Sequence, residues 1–123
     1  MNAVDARRCL DTAHDMLTGG SPNGWWPRAC ACLIRLALER GIDEYWQRTR
    51  PAVAACASRR AKLLMLRRRR TRVLAQRAAY AWAALSRATH HHCYELAPTA
   101  AELRHLHTEV MEILADFRAQ ASR

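Results

Sequence analysis

Apolar residues recur at three- and four-residue intervals along most of this chain, the spacing of amphipathic helices. Val4, Cys9, Ala13, Met16 and Leu17 mark one face of a first helix, predicted over residues 4–17. Thr18-Gly19-Gly20-Ser21-Pro22-Asn23-Gly24 is a turn between helices. Pro27 suits a first helical turn. After it, Cys30, Leu33, Ile34, Ala37, Leu38, Ile42, Tyr45 and Trp46 keep phase through Gly41 and predict one long helix to about residue 48. Pro51 breaks the pattern. A third helix is predicted over 52–66 from Val53, Cys56, Ala57, Leu63, Leu64 and Leu66. A fourth, over 73–91, presents Leu74, Ala78, Ala81, Leu85 and Ala88 on one face. Thr99-Ala100-Ala101-Glu102 is a capping-box signature. It opens a fifth helix striped by Leu103, Leu106, Val110, Ile113, Leu114 and Phe117, with fraying expected after about residue 118.

The pattern predicts an all-α fold: a single-domain antiparallel bundle of about five helices over residues 1–123, with no repeat and no second domain. Composition agrees. Half of the 123 residues are apolar, alanine, leucine and arginine dominate, and glycine is scarce. The length suffices for a core without disulfides or a structural metal.

Charge changes the picture. The net charge is +9, and Lys62 is the only lysine among the cations. Such a domain attracts polyanions, above all nucleic acid, although a high-GC genome enriches arginine and alanine whatever the function. The densest run is Arg67-Arg68-Arg69-Arg70-Thr71-Arg72. Consecutive arginines point in all directions on a helix, so this is an exposed joint. It is either a contact for phosphate backbone or a solvated linker.

The five cysteines are an odd number with no C-x-x-C pair. Cys9, Cys30 and Cys56 sit among apolar residues and look like buried, reduced thiols, which suggests a cytoplasmic protein. No signal peptide opens the chain and no apolar run has the length of a membrane span, so no membrane partner is expected. Trp25, Trp26 and Trp46 lie at the two ends of the second helix, where they either stack on bases or anchor the core. Tyr80 and Trp82 add bulk on other faces of the fourth helix. That pattern suits an element at both a core and a dimer interface.

The candidate chemistry lies where the fourth helix ends, in Arg87-Ala88-Thr89-His90-His91-His92-Cys93. Neighbouring helical residues project about 100° apart, so His90, His91 and His92 cannot converge on one ion, and no metal or cofactor is expected. Cys93 lacks the surroundings of an activated nucleophile, and Glu95 is the only carboxylate there. Arginine and histidine remain. RNA carries its own nucleophile, the 2′-hydroxyl, so a proton shuttle and a cation suffice to cleave it. In a regular helix Arg87 and His92 would lie about 140° apart. The helix must therefore end or distort between them, or two chains must share the work. His91, one turn from Arg87, is the easier local partner. The plainer alternative is that these groups hydrogen-bond the helix end.

At these residues the chain resembles the HEPN family (higher eukaryotes and prokaryotes nucleotide-binding domains). These are small bundles of four or five helices with an R-x(4–6)-H motif late in the fold. Arg87 to His92 fits with four intervening residues. Residues 37–46 look like the family's second helix, and residues 91–99 resemble its turn into the last helix. The resemblance implies a homodimer whose motifs face each other across a cleft. It also implies metal-independent endoribonuclease activity in toxin–antitoxin or antiphage defence, with an antitoxin protein as a partner. By that likeness Arg87 would polarise the scissile phosphate and His92 would act as general acid or base, with His91 the alternative that helix geometry offers. Arg67, Arg68, Arg69, Arg70 and Arg72 would hold RNA backbone. Many active members have a polar residue straight after the arginine, where this chain has Ala88. Some members bind nucleotides, nucleic acid or protein partners without catalysis, and that is the alternative reading.

Overall fold

In the computed structural model, which describes residues 3–19, 26–69, 72–90 and 97–121, the periodicity resolves into six helices. They are α1 (Ala3–Gly19), α2 (Trp26–Thr49), α3 (Pro51–Ala54), α4 (Arg59–Arg69), α5 (Arg72–Thr89) and α6 (Ala100–Ala121). The described residues contain no strand, and the fold is an all-α bundle. No described helix is long and apolar enough to cross a membrane. Most of the predicted loop at 18–24, together with Trp25, Arg70, His91, His92, Cys93 and Glu95, lies outside the described residues.

Helix α2 is the centre. Its buried residues, among them Cys30, Ala31, Ile34, Leu38, Ile42 and Trp46, cover an arc of about 180°. That is wider than one packing stripe, so several helices must cover it, and α1, α5 and α6 do. Tyr45 and Trp46 are both buried, with ring centroids 5.0 Å apart, and Tyr45 meets Phe117 of α6 at 5.2 Å. The aromatics at this end of α2 are therefore core anchors. Trp26, at the other end, is half-buried against the core.

Close approach of α2 and α6 depends on Gly41. A Cβ built there would stand 2.0 Å from Leu114 Cδ2 and 3.2 Å from its Cγ. The glycine that kept phase in the sequence is a contact surface. Helix α6 follows its predicted stripe: all six apolar positions are buried. The Thr99 hydroxyl accepts the Glu102 N–H at 3.1 Å as N-cap. The helix runs to Ala121, beyond the expected fraying point.

The predicted helix over 52–66 is two elements. Pro51 starts a single turn that ends at Ala54. The chain restarts helically at Arg59 because the Ser58 hydroxyl caps it, accepting the Ala61 N–H at 3.1 Å. This break lets α4 turn its cations toward α2. Cys56 becomes half-buried rather than core, and Ala57 and Leu64 are exposed.

Helix α5 stops at Thr89, short of the predicted residue 91. Leu74, Ala78, Ala81 and Leu85 form its buried face as the spacing predicts. Arg77 fastens α5 to α6: it meets Glu109 at 2.6 Å, Glu112 at 2.9 Å and Asp116 at 3.7 Å. Its hydrogen bond to Glu109 raises the guanidinium's affinity for its proton and holds the Glu109 carboxyl below the usual range.

Leu114→Ala should lower stability by about 2–4 kcal/mol. Gly41→Ala should destabilise the native protein, because Leu114 must move. In the Leu114→Ala background the same change should stabilise by about 1 kcal/mol through helix propensity. Urea unfolding of the four proteins checks the change of sign.

Candidate functional site

A row of polar side chains runs along α2 beside its apolar arc: Arg28, Arg35, Glu39 and Asp43, spaced seven, four and four residues apart. Helical geometry puts them within about 80° of one another. Helices α4 and α5 cover this row, so its groups find partners there.

At the α4 end, Asp43 receives two cations. Arg59 donates at 2.6 and 3.3 Å to its two oxygens, and Lys62 donates at 2.9 Å. Lys62 is only 5 % exposed, so this carboxylate is what permits its charge to be buried. Burial pushes the Asp43 carboxyl up, but the hydrogen bonds and charges of Arg59 and Lys62 outweigh it and the net shift is downward. Glu39 accepts the Trp82 indole N–H at 3.0 Å and stands 3.8 Å from Arg35 and 3.9 Å from Arg59.

At the other end the row meets the C-terminus of α5. The guanidinium of Arg28 donates to the carbonyl of Ala88 at 3.4 Å and to that of His90. Arg35 donates to the Thr89 hydroxyl at 3.1 Å, and that hydroxyl donates to the Ser86 carbonyl at 2.9 Å. The His90 N–H closes the last turn onto the Arg87 carbonyl at 3.2 Å. Arg28 therefore caps carbonyls at the helix end, where they carry partial negative charge, and Arg35 braces that end through the Thr89 hydroxyl.

Arg87 does not take part. It lies on the face of α5 turned away from the buried stripe and is exposed, and its side chain makes no hydrogen bond or ion pair among the described residues. It lines up with Val73 and Tyr80, which are 66 % and 65 % exposed. His90 is exposed beside it. His91 and His92 lie outside the described residues, so the Arg87–His92 pairing rests on the sequence.

The basic run straddles two helices. Arg67, Arg68 and Arg69 belong to the last turn of α4, Arg72 opens α5, and Arg70 lies outside the described residues. Arg67 and Arg72 are exposed. Arg72 and Arg87 stand at opposite ends of α5, about 22 Å apart along its axis. The structure does not bring the run and Arg87 to one corner.

Other candidates separate similarly. His105 is exposed toward α5, whereas His107 is buried with Nε2 2.9 Å from the Leu10 carbonyl. Among the described residues no group of three or more His, Cys, Asp or Glu is arranged to hold a metal. Cys9 and Cys30 are buried and unpaired, and burial pushes the Cys30 thiol up to about 11, which keeps it protonated. Sequence reasoning missed Arg28, Arg35 and the Asp43 clamp. A usable signal existed: a polar row in phase along an otherwise apolar helix, and one lysine among arginines.

No family model matches the sequence, and no match emerges among curated proteins or solved structures.

Asp43→Asn should cost about 2–4 kcal/mol near neutral pH, read by urea unfolding, because it leaves Lys62 buried without a counter-charge. The folded carboxyl titrates below its unfolded value. Its contribution is therefore present above about pH 4 and is lost as pH falls through the lower folded value, so variant and native protein converge in acid. Arg28→Met should speed amide exchange in the last turn of α5, with a loss of about 1–2 kcal/mol.

Proposed function

We propose that the protein is a dimeric, HEPN-like, metal-independent endoribonuclease, with Arg87 and a histidine of the 90–92 cluster, His92 by the family resemblance, at its site. The observation that carries this reading is the contrast between arginines around the end of α5. Arg28 and Arg35 are committed to the helix end, whereas the exposed side chain of Arg87 beside them makes no hydrogen bond or ion pair among the described residues. A structural arginine would have a protein partner. One left open in a cationic corner suits a phosphate.

In this mechanism the imidazole of His92, or of His91, takes the proton of the 2′-hydroxyl. The 2′-oxygen attacks phosphorus, and Arg87 neutralises the charge that develops on the non-bridging oxygens. The 5′-oxygen leaves and receives a proton, giving a 2′,3′-cyclic phosphate and a 5′-hydroxyl. The stripe of Val73, Tyr80 and Arg87 is the face through which a second copy would join, setting two motifs across one cleft. The resemblance adds the context: a cytoplasmic toxin or antiphage effector, with RNA as substrate and an antitoxin as restraint. Arg72 would engage a more distant part of the same RNA.

A second reading has its own support. Ala88 packs partly buried against the core, so the position after Arg87 offers the corner no polar group. A non-catalytic module that binds a nucleotide, nucleic acid or protein needs none.

Purified protein should cut single-stranded RNA in EDTA, leaving cyclic phosphate ends. Arg87→Ala and His92→Ala should each lower the rate about 10²–10⁴-fold, and Arg87→Lys should restore only part. RNA that is bound salt-sensitively but never cut sinks the nuclease and favours the module. Cleavage retained in both His91→Ala and His92→Ala removes the proposed chemistry.

A further inference from the structure

Helices α4 and α5 are joined through only residues 70 and 71, so they lie side by side as a hairpin. Between them runs an open groove of about 360 Å³. Its walls are apolar: Leu63 and Leu64 from α4, and Ala79, Trp82 and Ala83 from α5. The alanines keep the α5 wall low, leaving room for a third helix to approach closely. Leu64 stands 55 % exposed on the rim and extends the apolar surface of the groove.

The groove's charge is of one sign. Arg60 and Arg67 line it, both are exposed, and neither makes an ion pair among the described residues. Among the described residues no carboxylate lines it. The two arginines are seven residues apart on α4, or about 10 Å, with Leu64 between them.

Charge complementarity selects the occupant. The chain has 11 acidic residues. Seven of them, Asp11, Glu39, Asp43, Glu44, Glu109, Glu112 and Asp116, are already in ion pairs within the protein. A second copy has little free acid to offer this rim. An RNA backbone would satisfy the arginines but would leave Leu64 and the alanine wall uncovered.

We infer that the α4–α5 groove is a docking site for an acidic amphipathic helix of another protein. That helix would lay an apolar stripe on Leu64 and Trp82 and would carry carboxylates two turns apart to meet Arg60 and Arg67. Arg87 does not line the groove, although Gln76 and Ala83 of its wall adjoin the Tyr80–Arg87 stripe, and the site does not depend on the chemistry proposed there.

The test uses the full chain and a fluorescent 21-residue helical peptide of alternating leucine and glutamate faces. Two controls accompany it, one with lysine for glutamate and one with serine for leucine. Fluorescence anisotropy should give saturable binding of the leucine–glutamate peptide alone. Arg60→Glu with Arg67→Glu should weaken it at least tenfold and should gain affinity for the lysine peptide. Leu64→Asp should weaken it likewise. Arg87→Ala should leave it unchanged, which separates this site from the nuclease reading. All altered side chains are exposed, and circular dichroism verifies that each variant folds. The proposal is overturned if binding is absent, if the serine peptide binds equally, or if the groove variants bind as the native protein does. Displacement of the peptide by oligouridylate, lost in the same variants, would overturn it in favour of RNA.

Discussion

Asp43 and Glu39 are the carboxylates that let a chain of net charge +9 close around its central helix. Helix α4 illustrates the need. Six of its eleven residues are cations, and only Leu63 and Leu66 among its apolar side chains are fully withdrawn from solvent. The clamp supplements that small apolar face: Arg59 donates to both Asp43 oxygens and Lys62 sinks its stem beside them. Without the acidic pair on α2, the most basic helix would have little reason to stay.

What could be read beforehand follows from how each element is stabilised. Helix α6 packs one stripe on the core, and the period of Leu103 to Phe117 reports that directly. The α3–α4 break was hidden because Val53, Cys56 and Leu63 remain compatible with one helical phase, while the event that ends it is a serine cap. Caps are single hydrogen bonds, and a serine before arginines looks like any other. The corner was half legible. Arg87 stands out through its spacing to the histidines, but the arginines that shape the corner come from α2. Arg28 and Arg35 share a helical phase with Glu39 and Asp43, but only the fold brings them to Ala88, His90 and Thr89.

Arginine in this protein therefore has two physical roles, separated by what surrounds it. Arg59, Arg77, Arg28 and Arg35 meet carboxylates, carbonyls or hydroxyls and join helices together. Arg60, Arg67, Arg72 and Arg87 point outward, and their charge is the molecule's external field. Arg67 and Arg72 stand toward one end of α5, and Arg87 stands near His90 at the other. The same residue type thus builds the scaffold and supplies the surfaces it presents.

The bond from Arg28 to His90 links positions 62 residues apart. During synthesis, α1 and α2 leave the ribosome with their polar row uncovered, and it stays so until α4 and α5 have followed. Until then the nascent hairpin lacks the helices that cover this row. The cationic corner has no existence in it, because its shape is contributed by both ends of that long interval.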